Sequence, residues 1–287
     1  KRVVLCRDMT DTMYNPKMKP FVSHFTGTDL IVDHIERWVC PTITSDQLLG
    51  GSPFEFSTDP RPHVVILIAE REYRTNESLP KFALEHLGMD YKVTIVHCDE
   101  EGQGERNALP GSVQAIAEAD VLLVSVRRRV LPEDQYQAVR RHIEKGKPVV
   151  GIRTSSHAFS LRGESPPDGL MAWEKFDQEV WGGNYSGHHG NGKTVTVGIL
   201  SEHEILTGVK VDALNANGSL YQANPLASST QPLLSGAIEG QPVEPIAWTN
   251  KTVFGGRSFY TSLGHIDDFQ QEAMNVLLKN AIDWAVK

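Results

Sequence analysis

The sequence predicts an α/β protein built on a doubly wound parallel sheet, with a strand-and-helix appendage at its N-terminal end. Three observations carry that reading. Four short, continuously apolar segments, 63–69, 92–98, 120–126 and 147–152, have the pattern of strands buried on both faces. Each is separated from the next by a helix-sized stretch with an apolar face. A run rich in proline and glycine, from Gly50-Gly51-Ser52-Pro53 to Pro60-Arg61-Pro62, sets a first segment apart from the rest. The expected division is 1–50, a linker at 51–62, and a main domain at 63–287.

In the first segment, residues 2–6 read as a strand. Thr28 then caps a predicted helix whose apolar face is Ile31, Ile35, Trp38 and Val39, ended by Pro41. After the linker comes the strand 63–69. Thr75 or Asn76 caps a helix with Leu79, Phe82, Ala83 and Leu87 on one face, stopped at Gly88. The strand 92–98, a short helix at 112–119 and the strand 120–126 follow. A helix opens at Leu131-Pro132-Glu133-Asp134, turns Tyr136, Val139 and Ile143 inward and ends at Gly146, before the strand 148–152. Helix-sized crossovers make these four strands expected parallel neighbours. Further on, 170–180 reads as helical, 182–192 as a glycine-rich loop, and 194–199, 245–249 and 257–262 as strands. Asp267 is the expected cap of a last helix facing inward with Phe269, Ala273, Val276, Leu277 and Trp284.

Lys and Arg number 28 against 36 Asp and Glu, a net charge of −8. That balance argues against a chain-wide surface for nucleic acid or anionic membrane. No apolar run approaches the ~20 residues of a membrane-spanning helix. Cys6, Cys40 and Cys98 form neither a CxxC pair nor a Cys/His zinc spacing, which favours reduced thiols and a cytoplasmic location. The chain begins at Lys1 with no signal stretch, which reads as an entry in mid-protein; a cleaved signal leaves no trace, so a secreted form stays open.

Ligands of a parallel α/β sheet sit outside the carboxyl ends of its strands. Those loops hold Glu70, Arg71 and Arg74, then Arg127, Arg128 and Arg129, then Arg153, Thr154, Ser155, Ser156 and His157. Arginine at three strand ends suggests a pocket for carboxylate, phosphate or polyhydroxyl groups. The run Val149-Val150-Gly151-Ile152-Arg153 is similar to a nucleophile elbow. In class I glutamine amidotransferases a cysteine stands where this chain has Arg153, and a permanently protonated guanidinium cannot attack. Ser155 and Ser156 have no base in fixed relation by sequence and read as loop or cap hydroxyls. His188 and His189, adjacent in a glycine-rich loop, should point opposite ways on extended backbone. A zinc site from His157, one of that pair and His265 is not demanded by any spacing, and no metal or cofactor is expected. Trp248 lies on an apolar strand, and His265 follows another, just before the last helix.

Taken in order, several motifs resemble the ThuA-like family, named for trehalose utilisation. They are the glycine strand before Arg153, Trp181-Gly182-Gly183-Asn184-Tyr185-Ser186-Gly187-His188-His189, Glu202-His203-Glu204-Ile205-Leu206-Thr207-Gly208-Val209, the Tyr221 region, Pro245-Ile246-Ala247-Trp248-Thr249, and Phe259-Tyr260-Thr261-Ser262-Leu263-Gly264-His265. The resemblance implies a flavodoxin-like, class I glutamine amidotransferase-like fold from about Arg61 onward. Family members often carry histidine where Arg153 stands and an acidic residue where this chain has Gly218-Ser219-Leu220. Residues 1–50 resemble the C-terminal end of an isochorismatase-like cysteine hydrolase, through Val3-Val4-Leu5-Cys6-Arg7-Asp8-Met9-Thr10-Asp11-Thr12, Gly27-Thr28-Asp29-Leu30 and His34-Ile35-Glu36. The nucleophile of that family would precede this stretch.

The resemblance implies a protein of carbohydrate metabolism, a hydrolase of a sugar or oxidised sugar. His157, His188 and His265 are the candidate acid/base residues. Arg153, Glu70, Asn184, Tyr185, His189, Tyr221 and Trp248 are the candidate substrate contacts. The alternative is a non-catalytic ligand-binding or scaffold member in which Arg153 has replaced the nucleophile. The expected partner is a small sugar-like or anionic molecule, a homo-oligomer is expected, and the apolar stripe of residues 1–50 is expected to dock on the main domain or on another subunit. Arg153, His157, one of His188 and His189, and His265 are expected to share one pocket, with replacement of Arg153 weakening ligand binding but not stability.

Overall fold

The computed structural model describes residues 60–98, 107–190 and 195–287, together with the backbone of two strands in the first segment. Those strands are β1 (Val3–Cys6) and β2 (Val32–Trp38). The main domain opens with β3 (His63–Ala69), helix α1 (Thr75–Phe82) and β4 (Lys92–His97). Helix α2 (Ser112–Glu118) leads to β5 (Val121–Val126). The two-residue β6 (Leu131–Pro132) precedes α3 (Glu133–Glu144) and β7 (Val149–Ile152). Then come β8 (Leu170–Met171), β9 (Gly187–His189) and β10 (Val195–Ile199). The chain continues with β11 (Asn215–Ala216), β12 (Leu220–Gln222), β13 (Gln231–Ala237), β14 (Glu244–Lys251) and β15 (Arg257–Thr261). Helix α4 (Glu272–Val286) ends it.

The main sheet runs β1-β2-β4-β3-β5-β7-β15-β14-β13-β10-β11. Strand β3 pairs parallel with β4 and β5, and β7 pairs parallel with β5 and β15. The four sequence-expected strands are therefore parallel neighbours. Together with β15, their order reverses direction beside β3, as in a flavodoxin-like doubly wound sheet. Strands β14, β13 and β10 extend it antiparallel.

Alternation along β3 divides the core. Val64, Ile66 and Ile68 face a layer with Leu79 and Phe82 of α1 and Met274, Leu277, Leu278 and Ile282 of α4. Val65, Leu67 and Ala69 face the opposite layer, with Ile116, Val139, Ile143, Trp181 and Trp248. Both faces are covered, which is why the central strands carry unbroken apolar runs instead of alternation.

Four local expectations are corrected. The stretch expected as a helix around Ile31, Ile35 and Trp38 contains β2, which pairs parallel with β1 and antiparallel with β4. An open backbone edge at β4 offers ladder hydrogen bonds that outweigh a weak helical periodicity. The side-chain burial of that stripe, and most of the isochorismatase-like stretch, lie outside the described residues. The expected 170–180 helix is instead β8 followed by a helical turn at Asp177–Trp181. Helix α1 has no side-chain cap from Thr75 or Asn76; Arg74 occupies the cap in a left-handed conformation. Asp267 precedes a short turn at Asp268–Gln270, and α4 itself starts at Glu272. Among the described residues no helix is long and apolar enough to cross a membrane.

Candidate active site

The elbow is present in the backbone. Strand β7 ends at Ile152, and Arg153 turns the chain with φ +44 into the 3-10 turn Arg153–His157. A left-handed non-glycine residue is uncommon and is held only where its surroundings fix it. Here Tyr260 Oη donates to the Arg153 carbonyl at 2.6 Å, and the Arg153 N–H donates to the Leu263 carbonyl at 3.1 Å. Gly151 is required just before it: a Cβ there would lie 2.5 Å from the Trp181 ring.

The Arg153 side chain is 2 % exposed. Nη1 donates to the Ser262 carbonyl at 2.7 Å, and Nη2 donates to Tyr73 Oη and Ser219 Oγ, each at 3.3 Å. The guanidinium lies 4.4 Å from the Tyr73 ring centre and 4.5 Å from that of Tyr221. Burial acts to lower its pKa, but the facing tyrosines and Asp268 raise it, and the net direction is up.

Tyr73, Ser219 and Tyr221 are also the floor of a cleft of about 620 Å³. His157, Tyr185 and His188 line it, as do Asp177 and Arg127, Arg128 and Arg162. His157 stacks on Tyr185 at 4.4 Å between ring centres, and its Nδ1 is 3.0 Å from Ser156 Oγ. Burial first, then Arg128, Arg127, Arg162 and Arg153, push the His157 pKa down to about 3. It is a neutral imidazole throughout the neutral range. The adjacent Ser156 thus has a hydrogen-bonded histidine, but one far too weakly basic to take its proton.

Asp177 behaves oppositely. Burial pushes its carboxyl up to about 7, against one lowering contact in which the Tyr185 N–H donates to Oδ2 at 2.7 Å. Oδ1 is buried and has no hydrogen-bond partner. Gly183 permits this closure, since a Cβ there would fall 2.6 Å from Oδ1.

Comparison with protein-family models gives a match to ThuA, trehalose utilisation, over residues 63–285. The chain belongs to the ThuA family. Its role in trehalose utilisation holds at that family level. Among solved structures, a ThuA-like protein from Bacteroides uniformis is 18% identical, with a TM-score of 0.57, covering 82% of this chain and 95% of its own. A ThuA-like protein from Parabacteroides merdae is 16% identical, with a TM-score of 0.54, covering 79% of this chain and 90% of its own. At such identities the likeness concerns the fold. Comparison with curated proteins gives no match.

Within this ThuA domain the sequence-expected residues separate into three groups. His157, His188, Tyr185 and Tyr221 line the cleft, and Arg153 lies directly beneath it. His188 and His189 do point apart: His188 lines the cleft, while His189 lies 3.3 Å from Gln222 and 3.6 Å from Glu244. His265 is outside, edge-on to Tyr73 at 5.8 Å with its Nδ1 3.4 Å from Asp267. A three-histidine metal set is therefore not assembled, and among the described residues no three acidic, histidine or cysteine side chains come together as one.

Three expected substrate contacts lie outside the cleft lining. Glu70 is buried and accepts from the Tyr73 N–H and from the Thr75 N–H and hydroxyl, so it shapes the turn into α1. Trp248 is buried on β14, where its Nε1 donates to the Trp181 carbonyl at 2.7 Å. Asn184 is exposed and reaches only the Asn224 carbonyl at 3.5 Å. Burial and the surrounding arginines hold His157, a candidate acid/base residue, in its neutral form near neutral pH. Tyr73, Asp177 and Arg162 escaped the sequence reading. No spacing singled out Asp177, which stands between Glu174 and Glu179 in the stretch from Trp173 to Trp181.

Gly218 fits against Arg153: φ is +81, and a Cβ would lie 2.4 Å from Nη2. Gly218→Ala is expected to cost about 1–3 kcal/mol from strain and overpacking, read as a drop in melting temperature. An unchanged melting curve would mean that this contact does not constrain the site.

Proposed function

We propose that the cleft binds a small sugar-derived molecule and that Asp177 exchanges a proton with it during hydrolysis of a sugar or oxidised sugar. The observation that carries this reading is the Asp177 carboxyl in the cleft wall, pushed up to about 7 by burial. A proton exchanger works best when its pKa lies near the working pH. Three tyrosines, Tyr73, Tyr185 and Tyr221, line the cleft, and the volume lies in the range of ~300–1,000 Å³ usual for small-molecule sites. Membership in the trehalose-utilisation family supports the substrate class. The same proposal places the protein in the cytoplasm as a homo-oligomer, a location supported by its sparse cysteines.

The test is a panel of neutral, oxidised and acidic sugars, followed by calorimetry and by product release. Asp177→Asn is expected to keep ligand affinity and to lower turnover by about 10²–10⁴-fold. A second reading, ligand binding without turnover, draws on Arg153 standing at the elbow where a nucleophile would be needed. Binding with no product from the wild type would select it. No binding by any sugar would overturn both.

A further inference from the structure

We propose that Arg128 and Arg162 form an anion-binding subsite in this cleft, so that the ligand carries a phosphate or carboxylate group. The inference rests on the reading above in taking that group to be attached to a sugar. The rim acids are already committed. Glu72 pairs with Arg127 at 2.7 Å. Glu174 accepts from Ser160 Oγ at 2.6 Å, the Leu161 N–H at 2.7 Å and the Gly163 N–H at 3.3 Å, and so builds the turn that carries Arg162. Among the described residues, neither Arg128 nor Arg162 has a carboxylate within ion-pair distance, although both line the cleft.

Arg128 is fixed in place but incompletely satisfied. Its N–H donates to the His157 carbonyl at 3.1 Å. Its Nη1 reaches only the Ser160 carbonyl at 3.5 Å, and its Nε is buried without a partner. Arg128 and Arg162 also hold left-handed backbone, φ +48 and +61, conformations that persist at ligand clamps where surrounding structure imposes them. A guanidinium fork matches phosphate and carboxylate geometry, unlike a point charge. This cationic cluster stands against a chain whose net charge is −8, so it is a local arrangement and not a general surface property.

Calorimetry with inorganic phosphate, glucose 6-phosphate, glucuronate and glucose tests this on the whole chain. Phosphate is expected to bind the wild type, and glucose 6-phosphate to bind at least ~10-fold more tightly than glucose, as one charge-assisted hydrogen bond supplies. Arg128→Gln/Arg162→Gln is expected to weaken phosphate binding by at least ~10-fold, and Arg162→Gln alone, at an exposed position that leaves the fold intact, to weaken it measurably. Arg74→Gln removes an exposed arginine paired with Glu77 and is expected to leave phosphate binding unchanged. Wild type that does not bind phosphate, or variants that bind it as the wild type does, would overturn the subsite. The two proposals fail separately. Glucose binding without phosphate binding removes the subsite and keeps the sugar reading. Phosphate binding lost in the variants, with no sugar bound more tightly than phosphate itself, keeps the subsite and removes the sugar reading.

Discussion

Replacing Arg153 by alanine is expected to destabilise the protein by about 3–5 kcal/mol, a loss of roughly 6–20 °C in melting temperature. The sequence position alone suggested a substrate contact that could be removed with little effect on folding. The side chain is instead 2 % exposed, donates three hydrogen bonds and lies between two tyrosine rings. Truncation would leave a void beneath the cleft and strip the Ser262 carbonyl of this donor. Arg153→Lys should recover little, since an ammonium cannot span Ser262, Tyr73 and Ser219 together. A melting temperature within about 2 °C of wild type for Arg153→Ala would contradict this placement.

Asp177→Asn is expected to change stability in a pH-dependent direction. An aspartate in an unfolded chain titrates near ~3.9. In the fold this carboxyl titrates at about 7. Between those values the folded state retains a proton that the unfolded state has released. The stability linked to that proton is complete below about pH 4 and is lost as pH rises through about 7. Asparagine does not titrate, so the variant escapes that loss. Relative to wild type it should gain on the order of 2–4 kcal/mol between pH 4 and pH 8, roughly 5–10 °C in melting temperature. The amide placed at the unpartnered Oδ1 position adds a cost at both pH values, so the difference between them is the quantity to read. A variant that gains nothing on moving from pH 4 to pH 8 would show that Asp177 titrates as an ordinary carboxylate.

The central sheet was legible because its strands are buried on both faces and therefore continuously apolar, as Val64–Ala69 shows. The β2 pairing was hidden because it depends on the free edge of β4, a long-range fact that no local periodicity records. The site was legible to the level of loops. Arginines and histidines at strand ends marked the edge where the cleft lies, and adjacent His188 and His189 point apart as extended backbone requires. Side-chain direction was not legible. Glu70 and Trp248 occupy plausible positions near that edge, but one folds back onto Thr75 and the other onto Trp181. Arg153 was placed at the elbow correctly, yet its depth depends on Gly218 and Ser219, more than sixty residues away in sequence.

The most direct measurement is a carboxyl ¹³C NMR titration of Asp177 in the ligand-free protein, assigned by its loss in Asp177→Asn. A midpoint near 7 is expected, set by burial in the cleft wall. A midpoint near ~4, the value of a solvated aspartate, would contradict the assignment of Asp177 as the proton-exchanging group.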